Sequence, residues 1–256
     1  MHETRQITRH LVVLKVSPWS ERAKWALDHH GLSYQTIEHA PFLGERRLRH
    51  LVGSKKERAT VPVLLAGEQI LTESWDIAAY ADREGTASRL IPPEREAEVR
   101  IWNALADETM TALRALVVAA MLASPEAIDE GLPPNVPSVL RPMLRPVGRH
   151  GMKWFARKYD LRLADVPEHV AKLRSTLQRL RTALEKSLLY LLGSFSYADI
   201  VMACTLQGIS PVANRYIPLG AATRRAWTRE DLAAEFSELI AWRDRLYEKH
   251  RASDLS

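Results

Sequence analysis

The stretch His10-Leu11-Val12-Val13-Leu14-Lys15-Val16-Ser17-Pro18-Trp19-Ser20-Glu21-Arg22-Ala23-Lys24-Trp25-Ala26-Leu27 changes character at Ser17. Residues 10–16 are a short β-branched apolar run, which suits a strand buried on both faces. From Ser17 onward the pattern is helical. Ser17 is a good N-cap, and Pro18 occupies the first helical position, where its missing N–H costs nothing. Glu21 puts a negative charge in the first turn, Ala23, Ala26 and Leu27 continue at helical spacing, and Gly31 supplies the stop.

Working outward, Tyr34, Thr36 and Ile37 favour extended backbone and predict a second strand over residues 33–38. The first forty residues therefore read β-α-β. Residues 39–60 read as an irregular basic stretch, followed by Val61-Pro62-Val63-Leu64-Leu65-Ala66, a Gly67-Glu68 turn and Gln69-Ile70-Leu71, which together predict a hairpin. Glu73 and Ser74 precede a further helical pattern over residues 75–81. This order predicts a small α/β domain over residues 1–83, and Gly85, Pro92 and Pro93 mark residues 84–93 as a linker.

Residues 94–256 read as an all-helical second domain. Ile101, Leu105, Met110, Leu113 and Val117 predict one long helix over residues 94–121. Pro125, Pro133, Pro134, Pro137, Pro142 and Pro146 predict a loop with at most short turns over residues 124–151, long enough to act as a lid. Helical periodicity returns over residues 166–192, 200–207 and 231–250.

Hydrophobic residues make up 46% of the 256 and charged ones 26%, the balance of a chain with packed cores. No apolar run reaches the roughly 20 residues of a membrane span, and the polar start lacks a signal-peptide segment, so a cytoplasmic location with no membrane partner is expected. The single cysteine, Cys204, sits in an apolar run and reads as a small buried hydrophobe; no metal site is expected. The net charge of +5 is densest around Arg46, Arg47, Arg49, Lys55, Lys56 and Arg58. No aromatic residue interleaves these charges, so a solvated basic loop is expected there and no nucleic-acid partner.

Three features at this spacing resemble the glutathione transferase family: the strand followed by Ser17-Pro18-Trp19-Ser20, the pair Val61-Pro62, and Leu71-Thr72-Glu73-Ser74. In the second half, Phe195-Ser196-Tyr197-Ala198-Asp199-Ile200 resembles the family's capping box, with Ser196 and Asp199 each satisfying a backbone N–H and Phe195 and Ile200 closing a hydrophobic staple. The resemblance implies a thioredoxin-like first domain followed by an all-α domain. It also implies a cytoplasmic homodimer that transfers glutathione, its co-substrate, to a small electrophile in detoxification.

The resemblance further assigns the site. Ser17 stands where relatives place a catalytic serine or cysteine. A cis bond before Pro62 would turn the Val61 backbone toward the cysteinyl part of glutathione, and Glu73 and Ser74 would hold its γ-glutamyl end. Thr60 stands where many members have a lysine for the glycine carboxylate, leaving Lys56 or Arg58 as candidates for that role, with His39 a further one. An acceptor pocket is expected on the long helix, lined by Trp102, Asp107, Met110, Thr111 and Arg114.

The chemistry asked of Ser17 is bounded. A thiol with a pKa of about 8.5 needs about 2.7 kcal/mol to be lowered by two units. A hydroxyl donating to the thiolate supplies about 1.5–3 kcal/mol and a helix N-terminus about 0.3–2 kcal/mol. Two roles fit Ser17 from its pattern, thiolate donor and simple helix cap, and Ser20 is the alternative donor. Loss of catalysis on a retained fold, leaving a glutathione- or ligand-binding protein, is the competing expectation; a reductase is disfavoured because neither serine is a cysteine.

Overall fold

In the computed structural model, described here for residues 8–53, 59–133, 135–186 and 189–251, the chain forms two compact units, Met1–Pro93 and Glu94–Ser256. The first runs β1 (Arg9–Val13), α1 (Pro18–His29), β2 (Gln35–Glu38), α2 (Glu45–Leu51), β3 (Val63–Ala66), β4 (Gln69–Leu71) and α3 (Ser74–Glu84). The sheet order is β2-β1-β3-β4, with β1 parallel to β2 and antiparallel to β3, and β3 antiparallel to β4. This is a thioredoxin-like arrangement.

Strand alternation sorts the core into two faces. Val12 and Val63 pack with Leu48 of α2 and Ala59 on one face. Leu11, Val13 and Leu64 point to the other and are fully buried; α1 and α3 pack against each other, and Trp25, Leu27, Ile77 and Ala81 on them are fully buried as well. Gly31, at φ +62°, takes the left-handed conformation that ends α1. The basic stretch is less irregular than its composition suggests: α2 forms because Glu45 and Leu48 turn inward, leaving Arg46, Arg47 and Arg49 exposed.

Residues 84–93 are tied down. Leu90 and Ile91 are buried, and their N–H groups both donate to the Asp82 carboxylate, at 2.8 and 2.7 Å. Gly85 passes so close to His30 that an added Cβ would lie 2.3 Å from its Cβ.

The second unit contains α4 (Glu96–Ala123), α5 (Pro125–Glu130), α6 (Arg141–Lys158), α7 (Val166–Glu185), α8 (Tyr197–Thr205), α9 (Ala221–Trp227), α10 (Glu230–Glu235) and α11 (Ser237–His250). Helix α4 packs against α7 and α8, with Thr109 and Thr176 sharing a buried hydrogen bond of 2.8 Å. Every residue of α8 is buried, including Cys204.

The expected loop over residues 124–151 is instead largely helical. Pro125 and Pro142 sit in the first turns of α5 and α6, where no intrahelical N–H is needed, so among the described residues of this segment only Pro146 interrupts the bonding inside a helix. Packing offsets that loss. Arg145 pairs with Asp129 through two hydrogen bonds of 2.8 and 2.6 Å, Arg141 donates to the Asp129 carbonyl, and Gly148 lets α6 approach Ile128. Three further boundaries shift: β1 stops at Val13, α7 stops at Glu185, and the terminal segment breaks at Phe236, whose backbone (φ −123°, ψ 37°) leaves the helical region.

Candidate functional site

The strand registers decide which segments share an end of the sheet. Val12 pairs with Val63 and Val13 with Glu38, while Leu64 pairs with Leu71. The chain leaving β1 toward Ser17, the chain leaving β2 at His39, Val61-Pro62 entering β3, and Thr72-Glu73-Ser74 leaving β4 therefore lie at one end of the sheet. Two helix starts, those of α1 and α3, follow at that same end.

Ser17 is the N-cap of α1 by backbone: its φ and ψ are −77° and 123°, its N–H donates to Leu14 O at 2.8 Å, and its carbonyl accepts from Glu21 N at 3.0 Å. Its side chain makes no capping hydrogen bond. Ser20 differs: it is buried in the first turn, and its Oγ accepts the Leu14 N–H at 3.2 Å. One hydroxyl is thus occupied in holding the β1–α1 loop, while the other, at the mouth of the helix, is not used by the cap.

The Val61–Pro62 peptide bond is cis. Thr60 is half-buried beside the buried Ala59. Lys56 and Arg58 fall in residues 54–58, outside the described residues. His39 is buried, with Nε2 3.3 Å from Glu45 Oε1, so α2 already holds its ring. Glu73 is the extended N-cap of α3 with its side chain uninvolved in capping, and Ser74 opens the helix, buried. Among the described residues no cluster of metal-ligating side chains occurs.

In the second unit the five residues expected on one face of α4 do not share one. Trp102 and Thr111 are nine residues apart, about 180° around a helix. Met110 is core at 1% exposure; Trp102 turns toward α7 and lines an open groove of about 550 Å³ with Ser175, Gln178, Arg179 and Thr182. On another side, the Arg114 guanidinium lies 4.0 Å from the centre of the Tyr159 ring, and burial lowers its pKa from the usual arginine value, with Tyr159 and Asp107 opposing. The Arg114–Tyr159 stack pairs the long helix with a residue that sequence periodicity left unassigned, just past the end of α6.

The capping box is formed, with Asp199 Oδ2 accepting from Ser196 N and Ser196 Oγ, both at 2.9 Å. Asp199 Oδ1 takes the Leu191 N–H at 2.8 Å. Burial pushes the Asp199 carboxyl up to about 6 against the pull of these donors. Phe195, the expected staple residue, stacks face to face on His250 at 3.9 Å.

Residues 11–88 match the glutathione S-transferase N-terminal domain, and residues 153–245 match the glutathione S-transferase C-terminal domain. Among curated proteins none matches the chain in sequence. Among solved structures, a glutathione S-transferase from Methylobacillus flagellatus with glutathione bound is similar at 20% identity and a TM-score of 0.58, over 94% of this chain and 95% of that one. The glutathione S-transferase of Ceriporiopsis subvermispora in complex with glutathione aligns over 97% and 100% at 17% identity and a TM-score of 0.63. The beta-etherase LigF of Sphingobium aligns over 94% and 96% at 22% identity and a TM-score of 0.59. With both domains matched in order and the fold shared along nearly its whole length, the chain belongs to the glutathione S-transferase family.

Proposed function

We propose that the protein is a glutathione transferase of the serine type, which joins the glutathione sulfur to a small electrophile. The observation that carries this reading is the contrast between the two serines: the Ser17 hydroxyl is not consumed by the helix cap, whereas Ser20 is bonded to Leu14.

In this reading Ser17 Oγ donates its hydrogen bond to the bound thiolate, with the start of α1 adding its positive end. The sulfur lone pair attacks the electrophilic carbon, an S–C bond forms, and a leaving group departs with its electron pair or a conjugated bond takes it up. The protein needs no base, because the thiol proton is already lost to solvent at working pH. Val61 offers its backbone N–H and C=O to the cysteinyl portion, and Glu73 with Ser74 receives the γ-glutamyl end at the start of α3. Thr60, with Lys56 or Arg58, attends the glycine carboxylate. Arg114 and Tyr159 belong to the acceptor side. A symmetric cytoplasmic homodimer engaged in detoxification completes the proposal.

The ultraviolet thiolate band of bound glutathione, titrated with pH, tests it. The bound thiol is expected about two units below its free value of about 8.5, and Ser17→Ala is expected to raise it by about 1–2 units, the equivalent of about 1.5–3 kcal/mol. A bound thiol that titrates alike in both proteins would rule out Ser17 as the donor. Thr60, in place of a lysine, favours one second reading: a ligand-binding protein without turnover. Retention on immobilised glutathione with no conjugation of a general aryl halide would select it.

A further inference from the structure

Helix α6 and the 3₁₀ turn that leads into it, Ser138–Leu140, carry the largest cluster of exposed apolar side chains among the described residues. Val139 is 79% exposed, Met143 76%, Val147 62% and Leu140 45%. Val139, Met143 and Val147 follow one another at four-residue steps, so they form one stripe. Pro142 and Pro146, also exposed, widen it. Further along the same face come His150, Lys153 and Arg157, all exposed, with Arg149 at its border.

The charge here is one-sided. Residues 131–159 contain six Lys and Arg and no Asp or Glu, more than the whole chain's net +5. Arg141 and Arg145 are engaged with α5 and the loop that follows it. The side chains of Arg149, Lys153 and Arg157 make no ion pair or hydrogen bond among the described residues. The apolar stripe also lies entirely before residue 153, outside the stretch that matches the family's C-terminal domain.

We infer that α6 is a peripheral docking element for anionic phospholipid bilayers, with Val139, Leu140, Met143 and Val147 entering the headgroup–acyl boundary and Arg149, Lys153 and Arg157 meeting the lipid phosphates. Exposed apolar and cationic residues on one helix face are the combination an interfacial helix needs. The occupant must be anionic, because the cations have no counter-charge of their own, and it must take up aliphatic side chains, which neither a nucleic-acid backbone nor water does. Met143 and Lys153 are ten residues apart, about 15 Å along the axis, so the helix lies obliquely, its N-terminal half deeper. No membrane-spanning segment is required, and among the described residues none is present. The inference is independent of the proposed catalysis.

Co-sedimentation of the full-length protein with sucrose-loaded vesicles tests it, using phosphatidylcholine alone against phosphatidylcholine with one third phosphatidylglycerol. Binding to the anionic vesicles at low salt, loss on raising salt, and little binding to the neutral ones are expected. Met143→Asp with Val147→Asp is expected to weaken anionic-vesicle binding at least about tenfold, with circular dichroism and glutathione conjugation unchanged. Lys153→Glu with Arg157→Glu is expected to do likewise. Three results would overturn the inference: no binding to the anionic vesicles, binding that the Met143→Asp/Val147→Asp protein retains in full, or capture of polyglutamate without vesicle binding.

Discussion

His30 and Asp82 form a buried pair in which Nε2 and Oδ1 are 2.7 Å apart, and the same carboxylate holds the Leu90 and Ile91 N–H groups. Three donors converge on one side chain that is 9% exposed. Removing it strands all three in a dry setting, so Asp82→Ala is expected to destabilise the protein by about 3–5 kcal/mol. Urea denaturation measures the loss, and hydrogen exchange should show the Leu90 and Ile91 amides among the first to lose protection. Protection of those amides in Asp82→Ala would count against the clamp.

Ser17 and Ser20 predict opposite phenotypes. Ser17→Ala removes a hydroxyl that makes no cap bond, so stability should stay within about 0.5 kcal/mol while conjugation falls. Ser20→Ala strands the Leu14 N–H and should cost about 1–3 kcal/mol. Parallel thermal melts and initial rates separate the two. A Ser17→Cys protein should in addition form a mixed disulfide when incubated with oxidised glutathione, detectable by mass; its failure to do so would place residue 17 away from the ligand sulfur.

Asp199 gives a pH signature. Its folded pKa is raised to about 6 from 3.8, so between those values the native state binds more protons than the unfolded one. The linked stabilisation is complete below about pH 4 and is lost as pH rises through about 6, a change of about 3 kcal/mol. Chemical denaturation of the wild type and Asp199→Asn from pH 4 to 8 should show the wild type losing ground relative to the variant over that window. A constant difference would mean that Asp199 remains ionised throughout.

Two glycines of one helix should respond with opposite signs. At Gly151 an added Cβ meets nothing within 4 Å, so Gly151→Ala is expected to stabilise by about 0.5–1 kcal/mol through helix propensity. At Gly148 the new atom would come within 2.8 Å of Ile128 Cγ2, and the resulting strain of about 1–3 kcal/mol should cancel or exceed that gain. Equal shifts in denaturation midpoint for the two variants would mean that α6 does not press on α5.

The β1–α1 passage was legible because the β-branched apolar run, the cap, the proline and the closing glycine are all local signals within residues 10–31. Helix α6 was not. Its prolines and glycines are breakers by local rules, and what overrides them lies elsewhere in sequence: Asp129 for the arginines and Ile128 for Gly148. The break at Phe236 is similar, a buried ring in an otherwise amphipathic run. At the candidate site, the residue types and their spacing were visible, but which serine has an occupied hydroxyl depends on where Leu14 N–H points after folding. The scatter of Trp102 and Thr111 around α4 was available by counting turns, and the composition of the helix obscured it.

The Asp82 clamp also bears on how such a chain can be recombined. A gene spliced after codon 83, at the end of the helical pattern in the sequence, would encode an Asp82 that has kept His30 but lost the two amides it grips eight and nine residues later. Joining after Pro93 keeps all three together. The seam along which this architecture tolerates exchange of its halves is therefore set by the reach of one carboxylate, and lies ten residues beyond the point that hydrophobic periodicity suggests.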